Sequence, residues 1–344
     1  SQGPYTVINP NKIVAPNGDP QTYFSWARYW WANVSTEGDD TFCVPQGKKL
    51  TRDEIWTECP FVQLDGRSNP EINLTTASMN MKLVSEAIQF NAIIFALTND
   101  VKYAKNAVVL VRAFFTDEET GVRPNAEYAQ IIRGRGKSGR GSWSGLIEWL
   151  HIAKVVNGIL ILRSSRASPW TDLDDSKMNK WASAFLEWLT TSENGQRARS
   201  ANNNQASFLY GQLISLNILL GNIEGAKSVI AEYFDNVFPL LIGVNGSLAS
   251  EAKRTRPNHY IAFAIEAMLN NAKMADDLGL DYWSHKTQNG STIQDAINFA
   301  LDFAEQNKES SPPIDSDPVG ELAPHVFAAM SVYGDPSGRY ARFL

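Results

Sequence analysis

From about residue 76 onward the apolar residues of this chain recur at helical spacing, and this feature most constrains its fold. A first helix is predicted after Thr76, with an inward stripe of Met79, Leu83, Ala87, Phe90 and Ile94. The next is predicted after Asp100, with Ala104, Ala107, Val111 and Phe114 inward. No strand alternation is sustained across several segments, and no solenoid repeat of fixed period recurs. The pattern favours an all-α fold of helical hairpins around a common axis, an (α/α) toroid; a plain helical bundle or an irregular all-α domain is the alternative.

The domain organisation predicted from the sequence is simple. A hydrophobic content of 43% is ample for one large core in 344 residues. We expect a single catalytic domain over 1–344, with the Pro-, Gly-, Asn- and Trp-rich residues 1–75 as an irregular segment packed on it. The stretch from Ser310 to Pro313 is interpreted as a turn before the last helix. One apparent core in a chain of this size favours a monomer.

The charge balance restricts the partners. A net charge of −6 argues against nucleic acid, since phosphate binding needs a broad basic surface. An acidic sugar remains compatible, because a local basic cluster can line a cleft of an acidic protein. No uninterrupted apolar run reaches eighteen residues, so no membrane span is expected. The opening Ser1-Gln2-Gly3-Pro4 is interpreted as a mature or trimmed N-terminus.

Cysteines and sequons bear on the compartment. Cys43 and Cys59 are interpreted as one disulfide of a secreted protein, or as two unrelated thiols. Four Asn-X-Ser/Thr glycosylation sequons begin at Asn33, Asn73, Asn245 and Asn289. Together these features favour an extracellular glycoprotein secreted by a eukaryotic cell.

Two polar segments, Asn203–Phe208 and Glu251–Tyr260, carry the chemistry that the sequence suggests. The first gathers uncharged amides, and the second packs three cations, a carboxylate, a histidine and a tyrosine into ten residues. β-Elimination on a uronate needs its carboxylate neutralised, a base at the C5 proton and an acid at the departing O4. Arginine and amides suit the first task, and a tyrosine beside cations suits the others. The alternatives are structural: Asn202–Asn204 as helix-capping and turn residues, and the second segment as a solvated charged loop.

Four short motifs, in order along the chain, resemble the alginate-lyase-like superfamily of polysaccharide lyases. They are Tyr29–Trp31, Asp65–Glu71, Asn203–Phe208 with the pattern NN-x-(G/A)-S-(F/W), and Arg254–Tyr260 with the pattern R-x-R-x-x-H-Y. The resemblance spans about Tyr23 to Tyr333 and is greatest to secreted fungal members and to the thirty-eighth polysaccharide lyase family, which includes glucuronan lyases. It implies an (α/α) toroid with a long cleft and metal-free, cofactor-free β-elimination on an acidic polysaccharide.

The resemblance also assigns roles to matching residues. Tyr260 would be the catalytic tyrosine, and Asn204, with or without Asn203, would hold the C5 carboxylate. Arg254 would neutralise that carboxylate, unless Lys253 or Arg256 takes its place in the loop. His259 also belongs to the family pattern.

Gln205 departs from that pattern, because the family usually has Asn-Asn-His where this chain has Asn203-Asn204-Gln205. Glutamine forms hydrogen bonds but does not titrate. Three explanations remain open: the natural enzyme does without the histidine, the histidine was replaced to trap substrate, or the protein is a binding relic. In mannuronate and glucuronate, H5 and O4 leave from one face, so a single residue can serve as base and acid. If Gln205 is native and the protein is active, syn elimination by Tyr260 alone is predicted.

Further substrate-binding candidates lie in the first half of the chain. Trp30 and Trp31, together with Tyr29, would stack on sugars, or wedge the N-terminal loop onto the core. Tyr128 and Gln130 would line the cleft. The glycine-interleaved basic run of Arg133, Arg135, Lys137 and Arg140 would bind uronates further along the polymer, or form a flexible basic loop.

Other site chemistries are less favoured. His151, on an apolar helix with Trp149 and Ile152, is interpreted as a core or groove residue rather than a ligand. His285 and His325 lack ligand spacing for zinc, and Asp315 with Asp317 gives too few oxygens for a calcium loop, so no metal is predicted. An inverting glycoside hydrolase would need two carboxylates across a cleft. The available acids, in no context that marks a pair, are Asp65, Glu71, Glu148 and Glu251. A non-catalytic glycan-binding protein is the remaining alternative.

Overall fold

The computed structural model describes residues 5–44, 49–307 and 318–344. The expected turn at Ser310–Pro313 and the pair Asp315 and Asp317 lie outside these ranges. The chain divides into two compact units, residues 1–198 and 199–344. The single domain over 1–344 stays a prediction.

The first unit begins with short strands. They form three two-stranded sheets: β1 with β6 in parallel, β2 with β5 antiparallel, and β3 with β4 antiparallel. Their bounds are Phe24–Trp26 (β1), Trp30–Ala32 (β2), Val34–Glu37 (β3), Asp40–Cys43 (β4), Phe61–Gln63 (β5) and Tyr128–Ile131 (β6). Five of the six therefore lie in the segment that the sequence marked as irregular.

Helices make up most of the remainder of this unit. They are Arg52–Glu58 (α1), Ala77–Thr98 (α2), Val101–Val111 (α3), Ile152–Ser164 (α4), Asp172–Thr191 (α5) and Glu193–Arg199 (α6), which ends at the unit boundary. Helix α2 packs against both α3 and α4. Asp100 caps α3 by accepting a hydrogen bond from the Lys102 amide, and the four residues predicted inward are buried, which confirms that assignment.

The predicted inward stripe of α2 is wrong. Met79 and Phe90 are 55% and 59% exposed, while the buried positions are Ala77, Met81, Val84, Ser85, Ile88, Ala92 and Phe95. This helix is apolar on several faces, so apolar spacing alone does not fix which face is covered. By length and composition, α2 and the stretch 143–164 could each cross a membrane, a test that core helices of soluble proteins also pass.

The second unit, in its described part, is built from helices. They are Asn204–Leu219 (α7), Ile223–Glu232 (α8), Phe238–Leu241 (α9), Ala249–Ala252 (α10), Pro257–Asp277 (α11), Ile293–Gln306 (α12), Pro318–Tyr333 (α13) and Arg339–Phe343 (α14). Helix α11 packs against α7, α12 and α13. A continuous core that includes Tyr210, Tyr233, Phe234, Ile265 and Met268 fills the space between them. This packing fixes the first turns of α7 and α11, where the predicted catalytic residues lie.

The disulfide prediction is confirmed, because Cys43 and Cys59 are bonded in the first unit. Of the four sequon asparagines, Asn73, Asn245 and Asn289 are exposed and Asn33 is partly buried. Such positions leave room for a glycan, while secretion and glycosylation themselves stay predictions.

Candidate active site

Tyr260 lies in the first turn of α11. Pro257 occupies the start of the helix, where its missing amide hydrogen costs nothing and its fixed φ suits helical geometry. The Tyr260 amide donates to the Arg256 carbonyl at 3.0 Å, which closes this first turn. The tyrosine side chain is buried, with the residue 5% exposed, so its ring is held in one place.

A tight turn between α10 and α11 places Arg254 on the Tyr260 ring. The Arg254 amide donates to the Glu251 carbonyl at 3.1 Å, and the guanidinium carbon lies 3.6 Å from the centre of the phenol ring. The Arg254 Nη1 atom is 3.6 Å from the carboxylate of Glu251, which is itself buried. Of the three loop cations, Arg254 therefore lies over the ring; Lys253 is exposed, and Arg256 lies 3.8 Å from Glu321.

The amide segment forms the start of α7. Asn203 is the helix cap, and its side-chain oxygen accepts from the Gln205 amide at 3.1 Å. This capping role is the structural alternative that the sequence left open. The capping hydrogen bond uses the side-chain oxygen of Asn203. Asn204, the first residue of the helix, is buried. Within the described part of the chain, the buried Oε1 atom of Gln205 has no hydrogen-bond partner.

Helices α7 and α11 bring the two predicted segments together. The rings of Phe208 and Phe263 are 4.3 Å apart, and the Asn271 side chain donates to the Ser207 carbonyl at 3.0 Å. Phe208 lies one turn beyond Asn204, and Phe263 lies three residues beyond Tyr260. The helix that begins at Asn204 and the helix that carries Tyr260 in its first turn are therefore in contact. That Asn204 and Tyr260 act together stays a prediction.

Glu321, near the start of α13, was not singled out by the sequence. Its two carboxylate oxygens lie 3.1 and 3.3 Å from Nδ1 of His259. His259 also contributes to a groove of about 960 Å³ that runs along α11 and α13. Other groove residues include Glu266, Lys273, Trp283, Glu321 and His325. Nothing in the sequence spacing links Glu321 to a residue 62 positions earlier.

In the first unit, Arg133 is sealed inside the structure. Its guanidinium carbon lies 4.0, 5.4 and 5.0 Å from the ring centres of Trp26, Trp56 and Phe61, and Nη1 lies 2.8 Å from a Glu71 oxygen. The side chain is 7% exposed. This placement favours a structural role over the expected contact with polymer.

The other basic-loop residues and the tryptophans are placed differently. Arg135 and Arg140 are exposed, and Arg140 lies 3.6 Å from Glu127. Trp30 and Trp31 form part of β2 and are partly buried. Lys137 lies over Trp30, and Arg67 lies over Trp31, whose indole N–H donates to the Arg67 carbonyl. Both tryptophans therefore have intramolecular partners on their rings.

Gln130 belongs to a buried hydrogen-bond network around Glu148. Its Nε2 atom lies 3.2 Å from Glu148, whose other oxygen accepts from Tyr23 and Ser25 at 3.0 and 2.6 Å. Burial raises the pKa of the Glu148 carboxyl, against the opposing effect of these hydrogen bonds. Gln130 has a φ of +52°, an uncommon backbone conformation for a residue with a side chain. The neighbouring Tyr128 packs on the Phe24–Trp26 cluster.

Among the described residues, no three His, Cys, Asp or Glu side chains gather in a way that would hold a metal ion. Burial lowers the pKa of His151 to about 4, so this histidine is neutral at neutral pH. His151 is thus a partly buried residue of the first unit, as its apolar context indicated.

Comparison with known families decides the class of this site. The alginate lyase family model matches residues 7–310. The chain belongs to the alginate lyase family. It is therefore a polysaccharide lyase that acts on uronides, and its substrate class is an acidic polysaccharide, as the sequence resemblance implied. A comparison with curated protein sequences finds no match.

Solved structures of alginate lyases share the fold of this family member. An alginate lyase from Bacteroides ovatus matches 99% of this chain and 84% of its own, at a TM-score of 0.85 and 22% identity. Alginate lyase A1-III complexed with a tetrasaccharide matches 80% of this chain and 73% of its own, at a TM-score of 0.56 and 16% identity. The A1-III enzyme from Sphingomonas species A1 gives 0.52, with 16% identity over 79% and 73% of the two chains. These likenesses confirm the predicted all-α class, the (α/α) toroid.

Proposed function

We propose that this lyase cleaves a β-1,4-linked polyuronide, glucuronan or the mannuronate blocks of alginate, by metal-free syn elimination at Tyr260. The observation that carries the proposal is the stacking of Arg254 on Tyr260 at 3.6 Å, at the start of a helix that packs against α7, the helix that begins at the buried Asn204. A fixed cation and an amide donor stabilise the charge that accumulates on the C5 carboxylate as the proton leaves.

In the proposed reaction one tyrosine transfers one proton. The Tyr260 phenolate takes the proton from C5, and the C–H electron pair forms the C4–C5 double bond. The C4–O4 bond breaks, and O4 leaves with the proton that Tyr260 has just received. Arg254 supports this cycle because a guanidinium beside a phenol favours the phenolate form.

Gln205 supports assignment of both proton transfers to Tyr260. Its side chain stands where the resembling family has a histidine, and an amide neither takes nor gives a proton at neutral pH. Its Oε1 atom is buried and has no hydrogen-bond partner among the described residues. Tyr260 would then serve as both base and acid on one face of the sugar ring.

The test is the ultraviolet absorbance of the new C4–C5 double bond, measured on glucuronan, polymannuronate, polyguluronate and a neutral glucan. We expect unsaturated product from glucuronan or polymannuronate, and about a 10²–10⁴-fold loss of rate in Tyr260→Phe. Tyr340→Phe, a change at another buried tyrosine of the same unit, is the matched control and should retain the rate.

Other outcomes would redirect the proposal. Efficient cleavage of polyguluronate would contradict syn elimination by one residue. Product formed only after Gln205→His would mean that the glutamine disables an ordinary family member. A saturated reducing sugar would indicate a hydrolase, and binding of acidic oligosaccharides without turnover would indicate a glycan-binding relic.

A further inference from the structure

We infer that Glu321 is a positioning residue for Tyr260 and acts through His259; this inference rests on the proposed function of Tyr260. Glu321 lies near the start of α13, and His259 directly precedes the tyrosine on α11. The two side chains belong to different helices that pack together. Their contact therefore ties the orientation of the catalytic turn to α13.

The carboxylate of Glu321 fixes the His259 ring. With both oxygens within 3.3 Å of Nδ1, the carboxylate accepts a hydrogen bond from an Nδ1–H group. In neutral imidazole this arrangement selects the tautomer that is protonated on Nδ1, and in imidazolium it uses the same hydrogen. In either state, the ring cannot rotate without losing a charge-assisted bond.

The His259 ring in turn restricts Tyr260. The two rings meet edge to face with centres 5.2 Å apart, and the His259 ring also stacks on Phe263, with centres 6.0 Å apart and 9° between the planes. Arg254 lies over the phenol face at 3.6 Å. The phenol therefore has both a cation and an imidazole as neighbours, and each of these is near a carboxylate: Glu251 for Arg254, and Glu321 for His259.

Glu321 also supports the turn that carries the cation. One of its oxygens lies 3.8 Å from Nη2 of Arg256, the residue immediately before α11. A single carboxylate thus draws together the backbone on both sides of Pro257. Since misplacement of a catalytic group by about 1 Å can cost roughly 10²-fold in rate, loss of this support should appear in kcat.

The experiment compares Glu321→Ala, Glu321→Gln and Glu321→Asp with the control Asp302→Asn. Asp302 is an exposed carboxylate of the same unit that pairs with Arg339 and does not line the groove. We expect kcat on the best polyuronide to fall about 10–100-fold in Glu321→Ala, as for other supporting partners of catalytic groups, with KM within about twofold. The kcat of Glu321→Gln should lie between those of wild type and Glu321→Ala, Glu321→Asp should recover part of the rate, and Asp302→Asn should match wild type.

A second readout reports on the imidazole itself. Nitrogen NMR distinguishes the two histidine tautomers, and with four histidines in the chain the His259 signals can be assigned by their loss in His259→Gln. We expect the Nδ1–H form in wild type and a mixture of tautomers in Glu321→Ala. A role confined to folding would lower stability without changing the tautomer in the folded protein.

The outcomes separate the two proposals. If wild type forms unsaturated product, while Glu321→Ala and Glu321→Gln keep its kcat and its His259 tautomer, the inference is overturned and the proposed function stands. If wild type forms no unsaturated product, the proposed function fails, and the NMR comparison still decides whether Glu321 orients His259. Should Glu321→Ala fail to fold, Glu321→Gln supplies both readouts, since it keeps the size of the side chain.

Discussion

Two arginines of this protein lie over aromatic rings, and their surroundings differ. Arg133, in the first unit, is 7% exposed, faces three rings and pairs with Glu71 at 2.8 Å. Arg254, in the second unit, is 32% exposed and lies over Tyr260, with the Glu251 carboxylate at 3.6 Å. The first arginine is enclosed by its own protein, whereas about a third of the side chain of the second is exposed to solvent.

The difference teaches that a stacked cation has two uses. A fully enclosed guanidinium joins aromatic side chains and a carboxylate into one packed cluster, and its removal leaves a cavity and an unbalanced charge. A guanidinium on one ring at a helix start can still reach a substrate carboxylate, with its fork of donors. We expect removal of the enclosed arginine to lower stability and removal of the stacked, partly exposed arginine to lower the reaction rate.

The largest effect should follow Arg254→Ala. Loss of the cation removes stabilisation of the charge on the C5 carboxylate, and kcat/KM should fall about 10²–10³-fold, as when a single oxyanion-stabilising donor is removed. Arg254→Lys should recover part of the rate, because it restores charge without the planar fork. Steady-state kinetics and a thermal melt of the same preparations provide the check.

Lys253→Ala and Arg256→Ala give this comparison its control. Both should cost less than Arg254→Ala, since Lys253 is exposed and Arg256 lies beside Glu321. A loss for Lys253→Ala equal to that for Arg254→Ala would show that the wrong cation has been assigned to the carboxylate.

Arg133→Met should act on stability instead. Removing one partner of a buried ion pair costs about 3 kcal/mol of unfolding free energy, while activity per folded molecule should stay near wild type. Arg135→Met, at an exposed position of the same loop, should change stability by about 0.5 kcal/mol or less. Urea unfolding measures both. A drop in activity for Arg133→Met without any loss of stability would contradict its structural role.

Sequence alone predicted the helical class, and it marked two candidate segments for the site, because both depend on local order along the chain. Asp100 caps α3 with its side chain, whereas Thr76 precedes α2 without a side-chain capping hydrogen bond. The segments Asn203 to Gln205 and Arg254 to Tyr260 are each continuous in the chain. The resemblance added the roles of these residues. The packing of α7 on α11 brings the helices that begin at these segments into contact.

Sequence did not predict what depends on long-range packing. The exposed face of α2 was assigned inward because a helix apolar on several sides gives no single stripe. Arg133 and Arg135 have the same glycine-rich context, yet only the backbone path places one under Trp26 and leaves the other exposed. Glu321 contacts His259 because α13 packs against α11, and no local sequence pattern predicts that packing.

A third arginine, Arg112, pairs with a carboxylate instead of stacking on an aromatic ring. Its Nε and Nη2 atoms lie 2.6 and 2.8 Å from the two oxygens of Asp174, which also caps α5 with Thr171. Burial would raise the pKa of Asp174, but the bonds from Arg112 and Thr171 outweigh it and lower that pKa from 3.8 to about 2. Its folded pKa is thus below its unfolded pKa, so the stabilisation is complete above pH 4 and is lost as the pH falls toward 2.

Of the three substitutions Arg254→Ala, Arg133→Met and Arg112→Leu, the last should therefore have the smallest effect. Because Arg112 is 48% exposed, solvent screens the pair, and we expect a loss of about 1 kcal/mol at pH 7. The difference in unfolding free energy between wild type and variant should decrease from pH 4 downward, because Asp174 becomes protonated in both proteins. Urea unfolding from pH 7 to pH 3 measures this gap, with Arg123→Leu, at the half-exposed partner of Asp19, as the comparison. A gap that stays constant over that range would mean that Arg112 contributes through its packing rather than through its charge on Asp174.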